Sequence, residues 1–90
     1  MRNKEVVESF LQEKVGNSLN LTSTGYKLFS YDTCIAEWYK GYLIINTTKY
    51  SVTTSKHRHY LRDYKGRNII YVVGVPRNTV KLHNYLTDKF

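Results

Sequence analysis

Between residues 49 and 67 the chain sets six cations, Lys49, Lys56, Arg58, Arg62, Lys65 and Arg67, among Tyr50, His57, His59 and Tyr60. These residue types hold phosphate, stack on bases and move protons. Carried on to residue 83, the stretch adds Arg77 and Lys81, so that eight basic residues face one acid, Asp63. Residues 1 to 48 balance five Lys or Arg against five Asp or Glu, and the whole net charge of +7 therefore comes from the second half. A one-sided basic field steers polyanions and accelerates their association in a salt-dependent way, which argues for a class of partner and for no particular reaction.

The spacing decides which chemistry these residues support. On a helix at 100° per residue, Arg58, Arg62 and Lys65 fall within about 60° of one another, while His57, Tyr60, Leu61 and Tyr64 occupy the neighbouring face. With the aromatic face packed on a sheet, the basic stripe meets solvent, and Lys56 with the first-turn amides can hold a phosphate. Tyr50 or Tyr60 then adds stacking. His57 and His59 are two apart, which sends their rings to different sides of a helix, and with one Cys and no His-x-x-x-His pair a zinc site is not expected. Asp32, Glu37 and Asp63 stand at unrelated spacings, whereas a metal-dependent nuclease needs two or three converging carboxylates. No cofactor is expected. Metal-free RNA cleavage asks only for His, Lys, Arg or Tyr to move a 2′-hydroxyl proton and steady a phosphorane, so His57 or His59 keeps an endoribonuclease open as an alternative. Cys34 reads as a small buried residue rather than a nucleophile. The glycines are isolated, and no phosphate-binding loop is present.

The elements that position these residues follow from periodicity. Asn3 is the expected N-cap of a first helix carrying Val6, Val7, Phe10, Leu11 and Val15 on one face, with Glu5 and Glu8 near the positive end of its dipole and Gly16-Asn17 closing it. Residues 17–25 read as a polar loop. Short β-prone runs are expected at 26–31, 34–39, 42–46 and 49–53, with a hairpin at Trp38-Tyr39-Lys40-Gly41-Tyr42-Leu43 where Gly41 takes the positive φ of a two-residue turn. Thr53, Thr54 and Ser55 offer caps to a basic helix near 55–65 that Gly66 stops. Residues 69–75 form a continuous apolar run that reads as a buried central strand ended by Pro76. Val80, Leu82, His83, Tyr85 and Leu86 then give a C-terminal helix capped by Asn78 or Thr79. The expected fold is one small α+β domain, an antiparallel sheet of three to five strands flanked by these three helices.

Ninety residues, 41 % of them hydrophobic and nine of them Tyr, make a single domain that buries roughly 60 to 65 % of its unfolded surface. Most of the Tyr rings are expected in or beside the core. A lone Cys and an amino terminus without an apolar signal region favour a reducing cytosolic setting, and no run approaches the roughly 20 apolar residues that span a bilayer. The triplets beginning at Asn20 and Asn46 fit a glycosylation pattern that means nothing without secretion.

At Ser30-Tyr31-Asp32-Thr33-Cys34-Ile35-Ala36, and again at Asn46-Thr47-Thr48-Lys49-Tyr50-Ser51-Val52-Thr53-Thr54-Ser55-Lys56-His57, the chain resembles a family of short uncharacterised proteins encoded by bacteriophages and plasmids. The resemblance implies a setting, an accessory protein of a phage or mobile element acting inside a bacterium, where proteins of this size often inhibit host defence, anti-CRISPR proteins among them. In the order of its elements the chain is also similar to a double-stranded-RNA-binding domain, whose second helix sets basic residues against phosphates where Lys56, His57 and Arg58 stand here. The expectation is a non-enzymatic protein that binds nucleic acid (RNA or DNA) or a host nucleoprotein complex through Lys49, Lys56, Arg58, Arg62, Lys65 and Arg67 with Tyr50 and Tyr60, and does not engage membranes. The alternative is an inhibitor that grips an acidic host protein with the same patch.

Overall fold

The computed structural model describes residues 2–48, 61, 64, 66 and 68–86. One helix, α1 (Asn3–Leu11), precedes six strands: β1 (Val15–Asn17), β2 (Leu21–Thr24), β3 (Lys27–Ser30), β4 (Thr33–Tyr39), β5 (Tyr42–Asn46) and β6 (Ile69–Val72). They form one sheet in the order β1-β2-β3-β4-β5-β6, antiparallel up to β5 and parallel between β5 and β6. The domain is α+β as expected, but among the described residues its sheet has six strands and is mixed.

α1 buries Val6, Val7 and Phe10 against the sheet. Its N-cap is Arg2, whose backbone N–H donates to Glu5 Oε1 at 2.9 Å. Asn3, the expected cap, is already helical, and its Oδ1 accepts from Ser18 Oγ at 2.5 Å. The helix also ends earlier than Gly16-Asn17. Glu13 turns left-handed at φ 59° and donates its N–H to Phe10 O at 2.9 Å, and the next residue, Lys14, donates to Ser9 O at 2.8 Å. These two bonds form a Schellman motif with a glutamate in the position glycine usually takes. Val15 is thereby released from the helix into β1, where it is exposed.

The polar segment 17–25, expected to be a loop, instead holds the end of β1 and all of β2. In β2 the inward positions are Leu21 and Ser23. Ser23 sits at a core position because its hydroxyl donates to Lys14 O at 2.7 Å and accepts from Gly25 N at 3.2 Å, which removes the cost of burying it. The hairpin at 38–43 forms as expected, with Tyr39 opposite Tyr42 and both turn residues at positive φ, Lys40 at 50° and Gly41 at 82°.

Both sheet faces are covered. On one, α1 meets Leu21, Leu28, Ile35, Ala36, Leu43 and Ile45. Ile35 and Ala36 share that face because the β3–β4 register shifts by one residue between Leu28 and Phe29, a bulge in β4. On the other face Cys34, Ile44 and Val72 pack with Val75 and Leu82. Residues 73–86 thus run as a strap over the second face. The expected C-terminal helix is a single 3-10 turn within it, Leu82–Tyr85, of which Leu82 is the buried residue. Residues 69–75 do not form a central strand: β6 is an edge among the described residues, and only Val72 and Val75 of that run are buried. The expected strand at 49–53 lies outside the described residues, as does the basic helix near 55–65 apart from Leu61 and Tyr64.

Because β5 and β6 are parallel neighbours, the chain leaving Asn46 must return along the sheet before Ile69 can pair with Leu43. Two described residues of that 22-residue connection mark its course. Leu61 is buried in the core on the α1 side, and Tyr64 packs edge-on against Trp38 with ring centroids 6.0 Å apart. Trp38 in turn donates its indole N–H to Phe10 O at 2.8 Å. The connection is therefore tied to the same face that α1 covers.

Candidate functional site

Six of the chain's basic residues lie in this connection with one acid, Asp63, a local excess of +5 out of the total +7. All eight residues singled out for binding, Lys49, Tyr50, Lys56, Arg58, Tyr60, Arg62, Lys65 and Arg67, lie outside the described residues, and so do His57 and His59. Their carrier is described at Leu61 and Tyr64. Arg77 and Lys81, which complete the eight basic residues between 49 and 83, are both exposed on the strap.

At the start of the connection the residues Asn46, Thr47 and Thr48 stitch three elements together. The Asn46 side chain, buried in full, donates from Nδ2 to Cys34 O at 3.1 Å and accepts from Thr48 N at 3.0 Å. Thr47 donates its backbone N–H and its hydroxyl to Val72 O at 2.7 and 2.9 Å, and Thr48 Oγ1 accepts from Val75 N at 2.9 Å. The triplet that fits a glycosylation pattern thus spends its polar atoms inside the protein. These bonds hold the β5 end, β6 and the strap in register, and they fix the point from which the basic connection departs.

The second constellation lies on the strap side. Glu37, 2 % exposed, accepts the Leu82 backbone N–H on Oε1 at 2.8 Å, and its Oε2 lies 2.6 Å from His83 Nδ1. The His83 ring stacks on Tyr39 at 4.3 Å with the planes 7° from parallel, and Lys40 Nζ lies 5.3 Å from the centre of the Tyr39 ring. With the proton on Nδ1, both carboxylate oxygens are satisfied and Nε2 is the basic nitrogen of a ring that is 26 % exposed. The same bonds pin the strap to β4. Sequence reasoning named Glu37 only as a stray carboxylate and His83 only as a helix-face residue. Nothing local marks a bond between residues 46 apart.

Cys34 lies beside Glu37 on this face. Its thiol donates to Ala36 O at 3.2 Å, and burial first, with the Glu37 charge second, pushes its pKa from 9.0 up to about 12. A thiol held protonated is a poor nucleophile. The folded pKa is raised above the unfolded value, so this contribution to stability is whole below pH 9 and is lost as pH climbs from 9 toward 12. Iodoacetamide at pH 8 is expected to leave Cys34 unmodified in the native protein and to label it in urea. The urea midpoint is expected to fall more steeply above pH 9 in the parent than in Cys34→Ala. Equal slopes, or rapid native labelling, would contradict the buried thiol.

Among the described residues no group of three or more His, Cys, Asp or Glu could hold a metal ion, and no helix is long and apolar enough to cross a membrane. A search of curated proteins and a search of solved structures each gave no match. A family model does match, over residues 4–70, from the first turn of α1 through the whole basic connection to the second residue of β6. The chain belongs to that family, DUF8033, a family of unknown function.

Proposed function

We propose that the chain is a non-enzymatic binder of nucleic acid, free or within a host nucleoprotein complex, and that the connection between β5 and β6 makes the contact. The observation that carries this reading is an excess of five positive charges within 22 residues whose course is tied to the sheet by Leu61 and Tyr64. Anchoring matters because cations held near one surface neutralise successive phosphates without first paying the entropy of gathering them. Lys49, Lys56, Arg58, Arg62, Lys65 and Arg67 are the phosphate ligands in this reading, and Tyr50 and Tyr60 stack. The setting we attach to it is the cytoplasm of a bacterium carrying a phage or mobile element, on the likeness of residues 30–36 and 46–57 to proteins of such elements. The Glu37–His83 pair serves as the clamp of the strap, since its hydrogen bonds all run to the elements it joins.

Fluorescence anisotropy with labelled RNA and DNA at roughly 50 and 200 mM salt tests the proposal. Affinity is expected to fall with a log-log slope of about −0.9 per phosphate neutralised on duplex DNA. Arg58→Ala combined with Arg62→Ala is expected to abolish binding without unfolding the domain, and RNA is expected to stay intact throughout. Unchanged binding by the double variant would remove the patch. Absence of binding at both salts would favour the other reading, an inhibitor that grips an acidic host protein. Cleaved RNA would point instead to chemistry at a histidine.

A further inference from the structure

β1 is an edge of the sheet among the described residues, and the ladder beside it fixes which way each of its residues turns. Ser18 N–H donates to Leu21 O at 2.8 Å. In the β1–β2 register, Ser18–Leu21 and Gly16–Ser23 are therefore the hydrogen-bonded pairs, and Val15–Thr24 and Asn17–Thr22 are not. The next ladder agrees: Tyr31 N–H donates to Asn20 O at 3.0 Å, which turns Thr22 toward β3 and leaves Ser23 to β1. Gly16 thus spends its amide and carbonyl on β2, while Val15 and Asn17 turn theirs away from the sheet. Such an edge is a template for another strand, and proteins blunt it with proline, bulges or inward-pointing charges. β1 has none of these: its register with β2 is unbroken, its inward residue is Gly16, and Val15 is 74 % exposed.

The outward groups are symmetric about Gly16. When a second copy lies antiparallel with Gly16 opposite Gly16, Val15 of each chain meets Asn17 of the other, and each of these pairs exchanges both of its N–H···O bonds, four in all. The two glycines form the close, non-bonded pair at the axis, where no side chain stands between the backbones. Charge does not oppose the approach on this edge, because Glu13 and Lys14 lead into β1 together and residues 1 to 48 balance their charges. We infer that β1 is the seam of a homodimer, in which two copies of the chain join edge to edge into one continuous sheet. A second copy is the occupant because it brings the same spacing of outward groups and the same balance of charge to the other side of the seam. The inference goes beyond the nucleic-acid reading and does not depend on it.

Sedimentation equilibrium tests it, with the chain at about 10 μM to about 1 mM in roughly 0.15 M salt, where charges more than about 8 Å apart are screened. The mass is expected to rise with concentration from 10.6 kDa toward twice that value. Asn17→Pro deletes an outward N–H that β2 does not use, a place where an edge strand tolerates proline. Two bonds are lost per dimer, and association is expected to weaken about tenfold or more. Val15→Lys, which sets a charge at the seam, should also weaken it. An unchanged urea midpoint at low concentration would show that both variants fold. In hydrogen exchange the amides of Val15 and Asn17 are expected to gain protection together as concentration rises, while that of Gly16, bonded within the monomer, is protected throughout. A parent that keeps the monomer mass across the range would overturn the proposal and leave the edge to a strand of another protein. So would a dimer that Asn17→Pro leaves intact, or one that forms without protecting the amides of Val15 and Asn17.

Discussion

Glu37→Ala is expected to destabilise the protein by about 3 to 5 kcal/mol in urea unfolding, the range for removing one partner of a buried hydrogen-bonded carboxylate contact. A domain of this size holds roughly 5 to 13 kcal/mol in all, so the loss is a large share of it. Three effects add. The bond from Leu82 N–H disappears and leaves a buried donor without an acceptor; His83 loses the group that orients it; and a void opens beneath the strap. The damage should concentrate in residues 73–86, and hydrogen exchange is expected to show their amides losing protection while those of α1 keep theirs. Glu37→Gln preserves shape and an acceptor for Leu82, so it should cost less than half as much. A Glu37→Ala protein within about 0.5 kcal/mol of the parent would mean that the clamp carries no stability, and would reopen His83 as a group kept for chemistry.

The second large effect lies on the opposite face. Phe10→Ala is expected to cost about 3 to 5 kcal/mol, as large-to-small changes of a fully buried ring do. Phe10 is the central contact of α1 with the sheet, its ring 5.9 Å from that of Trp38. The bond from Trp38 Nε1 goes to the Phe10 backbone carbonyl and survives the substitution, so the indole should stay in place while its surroundings become wetter. A red shift of the emission of this single Trp should therefore accompany the loss of stability. Leu19→Ala, at a position 96 % exposed, serves as the control and should change stability by less than about 0.5 kcal/mol. A Phe10→Ala protein as stable as the control would contradict the packing of α1.

These two sites differ in how far the sequence announces them. Val6, Val7 and Phe10 repeat at helical spacing and the helix follows; Lys40-Gly41 between alternating runs reads directly as a hairpin. Residues 17–25 do not read as strands because a serine takes a core position, and only the carbonyl of Lys14, brought there by the turn after α1, makes that tolerable. Residues 69–75 look central because their apolar content is continuous, yet Tyr71 and Val73 are exposed, as suits a strand that is an edge among the described residues. The C-terminal pattern of Val80, Leu82, His83 and Leu86 suits a helix, but Glu37 takes the Leu82 N–H and Val80 stays exposed, leaving one short turn. Of the candidate site, the charge was legible from composition alone. The anchoring of the connection that carries it, through Leu61 and Tyr64, was not, because it depends on a parallel pairing between segments that periodicity treats as unrelated.

That parallel pairing also divides the protein in time. From α1 to β5 every strand pairs with the one before it, and such contacts between close neighbours in sequence form early and at little entropic cost. β6 must wait until 22 intervening residues have been closed into a loop, and Glu37 can meet His83 only after that. β6 and the strap are thus the last elements to fold, and the stretch that must be closed before them is the one that carries six of the chain's cations. In the nucleic-acid reading proposed above, a polyanion that gathers those cations would help to close the loop from outside, so that one and the same contact would serve both binding and the completion of the fold.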